Sequence, residues 1–170
     1  MRIIAGSAKG RPLQGPGNAK GVRPTADRVR ETIFNVLGQW LDGCRVLDLF
    51  AGTGALGFEA LSRGAVHLTA VDTDLRWVRK NAQALGFQVE LLELPAARAL
   101  DVLAKRGEQF DLAFADPPYA MEVAAEVLEA LKPLAKTVVI EHGKREAAPP
   151  GFSDQRKFGD TIVSIYQRVE

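Results

Sequence analysis

The run Asp48-Leu49-Phe50-Ala51-Gly52-Thr53-Gly54-Ala55-Leu56-Gly57 constrains this chain more than any other stretch of it. Gly52, Gly54 and Gly57 have the spacing G-x-G-x-x-G, and they fall between an apolar run, Arg45–Leu49, and an amphipathic segment at about 55–63. Glycine at these places permits a tight strand-to-helix turn and lets backbone approach a ligand closely. Asp72 ends the next apolar run, 20 residues beyond Gly52, where a carboxylate can accept hydrogen bonds from both hydroxyls of a ribose. Strand, glycine turn, helix, strand, acid is the pattern of a nucleoside-binding half of a doubly wound sheet.

The rest of the chain continues it. Short apolar runs at Arg45–Leu49, His67–Val71, Gln88–Leu92, Phe110–Ala115 and Thr137–Ile140 alternate with amphipathic segments at about 55–63, 74–85, 96–106 and 120–131. Alternating strands and helices predict an α/β, Rossmann-like fold with a mostly parallel sheet. The ending departs from that rhythm. Lys157-Phe158-Gly159-Asp160-Thr161 reads as a turn, and Ile162–Gln167 alternates like a half-buried strand, so an antiparallel hairpin closes the sheet. Upstream, a helix is expected after Pro24, with Thr25 as its N-cap and Asp27 in its first turn; Val29, Ile33, Val36, Leu37, Trp40 and Leu41 share its apolar face. Residues 1–24 form a basic extension with a hairpin over Arg2–Ala5 and Arg11–Leu13, followed by the glycine-rich stretch 15–21; residues 25–170 are the helix plus the Rossmann-like core of one domain.

The charge is unevenly placed. Residues 1–30 carry seven basic side chains against Asp27 alone, while the remainder carries 15 basic and 20 acidic groups. A basic arm on an acidic body points to a polyanionic partner. Arg2, Lys9, Arg11, Arg23 and Arg28 are the substrate-binding candidates that this charge supplies. A single cysteine, Cys44, excludes an internal disulfide and a cysteine-rich zinc site, and neither His67 nor His142 has metal-ligand partners near it, so no metal is expected. No run approaches the length of a membrane span, and MRIIAGSAKGRP lacks the apolar core of a signal peptide. A cytoplasmic protein with no membrane partner is expected.

Asp48 discriminates between cofactors. A dinucleotide places its pyrophosphate on the helix N-terminus, where an acid at the end of the first strand would repel it. S-adenosyl-L-methionine has no phosphate and carries an ammonium and a sulfonium, which a carboxylate attracts. Asp48, Gly52, Gly54 and Asp72, with the adjoining Phe50 and Thr73, are the cofactor-binding candidates, and a side chain at Gly54 is expected to block the cofactor without unfolding the protein. Asp116-Pro117-Pro118-Tyr119 follows the strand that neighbours the first one at the switch point of such a sheet, so it faces the glycine loop across one crevice. Its residue types suit an exocyclic amine on a base, whose lone pair is delocalised into the ring. The Asp116 carboxylate and the Pro117 carbonyl can accept the two amine hydrogens, proline holds that carbonyl rigidly, and Tyr119 offers a face for stacking. Asp116, Pro117 and Tyr119 are the catalytic candidates.

Together, DLFAGTGALG, VDTD and DPPY resemble the class I methyltransferases that act on amino groups. RIIAGSAKGRPL, RPTADRVRETIFNVLG, LDLFAGTGALGFEALSRGA and the ending EH…FGDTIVSIYQR resemble one branch of these along nearly the whole chain, the 16S ribosomal RNA guanine-N2 methyltransferases, or RsmD-like proteins. The resemblance implies a seven-stranded sheet and methylation of guanine N2 in 16S rRNA, on free RNA or within a partly assembled small ribosomal subunit. It implies Asp48, Gly52 and Gly54 around the methionine moiety, Asp72 on the ribose, Asp116, Pro117 and Tyr119 at the target amine, and Arg23, Pro24 and Thr25 at the entrance. Asn81 matches a family position without an evident chemical role. One departure is Glu93-Leu94-Pro95-Ala96: Pro95 stands about where the family often has an acid or amide for the adenine, which leaves backbone atoms or Glu93 to hold it. The rival expectations are an amino methyltransferase acting on DNA adenine or cytosine or on protein glutamine, a non-catalytic RNA-binding assembly factor, and a nicotinamide oxidoreductase.

Overall fold

The structure is a computed structural model that describes residues 1–17, 24–118 and 123–168. Its elements, in order, are α1 (Pro24–Leu37), β1 (Arg45–Leu49), α2 (Ala55–Ser62), β2 (His67–Asp72), α3 (Arg76–Leu85), β3 (Glu90–Glu93), α4 (Ala96–Lys105), β4 (Phe110–Ala115), α5 (Ala124–Leu131), β5 (Ala135–Gly143), β6 (Asp154–Phe158) and β7 (Thr161–Gln167). They build a seven-stranded sheet of order β3-β2-β1-β4-β5-β7-β6. The first five strands run parallel; β7 lies antiparallel between β5 and β6. The hairpin turns on Gly159 and Asp160, with Phe158 opposite Thr161. Strand β5 is longer than its apolar run predicts because β7 pairs with it as far as Gly143, a partnership that sequence periodicity does not carry.

Strands alternate their side chains between faces, and each face has its own core. Val46, Leu68, Leu112, Phe114 and Val139 meet Ile33 and Phe34 of α1, Phe58 of α2 and Val78 of α3 on one side. Leu47, Leu49, Ala113, Ala115 and Ile140 meet Ala99 and Leu103 of α4 and Leu128 and Leu131 of α5 on the other.

The basic N-terminus is built into the first of these cores. Arg2 bridges Pro12 in the expected antiparallel sense, and Ile3, Ala8 and Leu13 are buried with the α1–α3 side. Backbone N–H groups of Ile4 and Ala5 donate to the buried Glu59 carboxylate at 2.8 and 3.1 Å. Glu59 also accepts from Arg63 at 2.9 Å and faces Arg30 at 3.7 Å. Arg30, one of the seven basic residues of the first segment, is only 4% exposed and also pairs with Asp27 at 3.1 Å. It is an internal strut rather than part of the basic surface.

Two expectations for α1 fail. The helix already includes Pro24, whose fixed φ suits a first helical position, so Thr25 lies inside the helix and is not its N-cap. Trp40 lies beyond the helix end at Leu37 and is 63% exposed, because the chain leaves helical geometry before Trp40 can join the apolar face. Among the described residues no helix is long and apolar enough to cross a membrane.

Candidate cofactor and substrate site

The site lies at the carboxyl ends of β1, β2, β4 and β5. Register aligns Asp48 with Ala70 on β2 and Phe114 on β4, and Phe114 with Val139 on β5. Two residues further along those three strands come Asp72, Asp116 and Glu141. The pleat therefore directs Asp48, Asp72, Asp116 and Glu141 to one face, the one that carries α1–α3. Four carboxylates converge on the crevice that topology opens at this switch point.

Three of them resist holding a charge there. Asp48 is 3% exposed, and burial pushes its pKa up to about 8, against the pull of the Gly57 N–H that donates to it at 3.1 Å; Asp116 and Asp72 nearby add to the rise. Glu141 also rises to about 8, by burial first and then by the charges of Asp116 and Asp48. Asp116 stands at the mouth of the crevice and reaches water, yet enough protein surrounds its carboxyl to raise it to about 6. Asp72, by contrast, is held by backbone: it accepts from Gly52 N–H at 2.9 Å and Thr73 N–H at 2.7 Å. It thereby ties the acid after β2 to the glycine turn.

The turn itself is bent sharply. Phe50 has φ 62, the only positive value at a non-glycine among the described residues, and a bulky side chain there stores strain of the sort found at functional sites. Gly52 and Gly54 follow with φ 59 and 83. They differ in what surrounds them. A Cβ at Gly52 would meet nothing within 4 Å, so this glycine faces open crevice. A Cβ at Gly54 would sit 2.5 Å from the fully buried Phe58 ring, so this glycine faces the core. The expectation that a side chain at Gly54 would leave the fold intact is corrected accordingly.

Pro117, next to Asp116 in the chain, is buried. Tyr119 and Arg23 lie outside the described residues, as does the side chain of Thr25 in the first turn of α1. Arg2, Lys9, Arg11 and Arg28 are exposed. Glu93 is engaged through Oε2 by the Leu75 N–H at 3.0 Å and by Arg79 at 2.7 Å, on the flank of α3. His142 is buried in a bond with Ser164 at 3.0 Å, and His67 bonds Thr69 at 2.8 Å; both are occupied structurally. Among the described residues no group of His, Cys, Asp or Glu is arranged to hold a metal ion.

Sequence reading missed Glu141. The signal was available only as the EH pair after an apolar run; its relevance depends on the β4–β5 register, which sets it beside Asp116.

A parallel sheet with its switch point between β1 and β4, closed by an antiparallel β7 and carrying a glycine turn and a DPP segment at its carboxyl edge, defines the class I methyltransferase fold. Comparison with known proteins narrows the class. Residues 1–167 match the family described as conserved hypothetical protein 95, and the chain belongs to that family. A relative named Putative rRNA methyltransferase YlbH, from Bacillus subtilis, is 37% identical, with 99% of each chain aligned. Ribosomal RNA small subunit methyltransferase D of Haemophilus influenzae is 41% identical over 77% of this chain and 70% of its own. A solved hypothetical protein from Thermus thermophilus superposes with a TM-score of 0.85 at 32% identity over 99% of both chains.

Proposed function

We propose that this protein uses S-adenosyl-L-methionine to methylate the exocyclic N2 amine of a guanine in 16S ribosomal RNA. The observation that carries the reading is the juxtaposition at one sheet edge of an open glycine turn, an acid tied to that turn and the Asp116-Pro117 pair. The names of the relatives support rRNA as the substrate.

The residues present fit the cofactor on three counts. Space is open over Gly52, Asp72 keeps acceptor capacity for ribose hydroxyls beside that space, and Asp48 and Glu141 are acids whose charge is costly until a cation stands near. When bound, the cofactor supplies a methyl group on a sulfonium, already a good leaving group.

The protein's part is then positioning and proton acceptance. The Asp116 carboxylate and the Pro117 carbonyl accept the two N–H groups of the target amine and turn its lone pair toward the donor. Once the amine has received the methyl group, its nitrogen would be acidic. Asp116 accepts the proton and passes it to water at the crevice mouth, where its carboxyl is exposed. A carboxyl with a pKa near 6 is ionised at neutral pH and needs no strong base beside it. Tyr119, by its motif, supplies the stacking face for a base drawn out of its RNA stack. Lys9, Arg2, Arg11 and Arg28, exposed on the arm and on α1, hold RNA phosphates.

Incubation with tritiated cofactor and separate rRNA, DNA and protein fractions tests the assignment. Label is expected in 16S rRNA as N2-methylguanosine, absent from the 16S rRNA of a strain lacking the protein. Label in DNA or protein alone, or on another atom of the base, would overturn it.

A further inference from the structure

Asn81 of α3 is fully buried, and its amide serves two segments distant in sequence. Oδ1 accepts from the Gln14 N–H at 2.7 Å. Nδ2 donates to the Gln14 carbonyl at 2.9 Å and to the Thr53 carbonyl at 2.9 Å. Gln14 belongs to the arm that carries Arg2, Lys9 and Arg11; Thr53 stands between Gly52 and Gly54. The two segments also touch directly. A Cβ added to Gly15 would come within 2.9 Å of Thr53 Cγ2, so the arm rests on the glycine turn with no room for a side chain between them. Further along the same helix, the Arg11 guanidinium donates to the Ala84 carbonyl at 2.7 Å and fastens the arm to α3 a second time.

Asparagine suits this place by its inventory. One acceptor and two donors on one planar group match one N–H and two carbonyls. Aspartate cannot donate to either carbonyl, and alanine can do nothing for any of the three. The Asn81 amide is thus shared between the backbone of the arm and the backbone of the turn, and neither can shift without disturbing the bonds of the other.

We propose that Asn81 is a positioning residue that couples the RNA-holding arm to the cofactor turn, so that cofactor and RNA each tighten the other's binding. The inference rests on the function proposed above. Linkage requires the factor to be the same in both directions, and coupling between sites is typically about 5- to 150-fold. A single shared side chain belongs at the low end of that range.

The test titrates the full chain with S-adenosylhomocysteine, with and without a 16S rRNA transcript, and measures transcript binding with and without S-adenosylhomocysteine. The wild type is expected to show a factor of about five in each direction. Asn81→Ala is expected to bring the factor close to one. Gly15→Ala, which leaves the amide intact, is expected to reduce it by pressing on Thr53 Cγ2, and adding Thr53→Ser, which removes that methyl, is expected to restore it. A role confined to stability would lower the melting temperature and leave the factor of the folded variant unchanged. The proposal is overturned by a wild-type factor of one, by a folded Asn81→Ala protein with the wild-type factor, or by failure of Thr53→Ser to rescue Gly15→Ala. The Gly15 pair decides the matter if Asn81→Ala does not fold. Binding of both ligands without coupling overturns this inference alone, whereas a wild type that binds neither ligand overturns the methyltransferase reading and this inference with it.

Discussion

Alanine at Gly52 and alanine at Gly54 should have different consequences, although the two glycines are neighbours in one motif. Both sit at left-handed φ, 59 and 83, where a Cβ costs about 1–2 kcal/mol. At Gly52 that is the whole cost to the fold, because nothing lies within 4 Å of the added carbon. A domain of this size loses roughly 2–4 °C of melting temperature per kcal/mol, so Gly52→Ala should melt roughly 2–8 °C below the wild type. At Gly54 the new carbon meets Phe58 Cε2 at 2.5 Å and Cδ2 at 2.8 Å. That ring is fully buried and stacks on Phe87 with centroids 6.3 Å apart, so it has nowhere to retreat. Overpacking of this kind adds about 1–3 kcal/mol, which brings Gly54→Ala to roughly 2–5 kcal/mol in all. Binding should show the opposite contrast. The Gly52 methyl projects into the open crevice, so Gly52→Ala should lose tenfold or more in S-adenosylhomocysteine affinity, about 1.4 kcal/mol, while remaining folded. Thermal unfolding by circular dichroism and calorimetric titration read the two effects separately. A folded Gly52→Ala protein with wild-type affinity would refute the placement of the cofactor over this turn, and a Gly54→Ala protein as stable as Gly52→Ala would refute the packing argument.

Asp116→Ala should leave S-adenosylhomocysteine affinity within a few-fold and cut single-turnover methylation by about 10²–10³-fold, with Asp116→Asn retaining part of the rate if orientation of the amine matters more than proton acceptance; near wild-type speed in Asp116→Ala would remove this residue from the reaction. Single-turnover rates should rise with pH through about 6, as the raised Asp116 carboxyl ionises; a flat profile from pH 5 to 8 would contradict that. Because folding raises Asp48 from an ordinary 3.8 to about 8, its contribution to stability is fully present only below 3.8 and is lost progressively as pH rises toward 8. Asp48→Asn should therefore gain on the wild type in urea unfolding at pH 8 but not at pH 4, and equal gains at both would refute the shift. Lys9→Ala should lower the log–log salt slope of RNA binding by about 0.7–0.9 if it meets one phosphate, whereas deletion of residues 1–21 should unfold the protein, since it removes the buried Ile3, Ala8 and Leu13; an unchanged slope and a stable deletion variant would count against the two claims respectively.

Much of this molecule is legible in its sequence because its strands are short apolar runs and its turns are marked by glycine and proline. Arg45–Leu49 and Phe110–Ala115 are bounded by residues that local propensity already singles out, and both strands run between the expected limits. The acid after β2 and the DPP after β4 are legible for the same reason: topology places strand ends, and strand ends carry the chemistry. What depends on partners distant in the chain was not legible. Strand β5 extends to Gly143 because β7 lies beside it, and α1 stops at Leu37 with Trp40 left exposed. Arg30 reads as one more positive charge of a basic arm until Glu59, 29 residues later, is found against it in the core. Gly52 and Gly54 are equivalent as letters of a motif and opposite in surroundings, since only packing brings Phe58 up to one of them. Glu141 gains its neighbour Asp116 from strand register, and Asn81 gains its three partners from a fold that lays residue 14 against residue 53. Sequence determines which backbone each residue favours and which chemistry it carries; tertiary structure alone decides which side chains share a space, because long-range contacts are set by the packing of whole elements and not by the residues on either side.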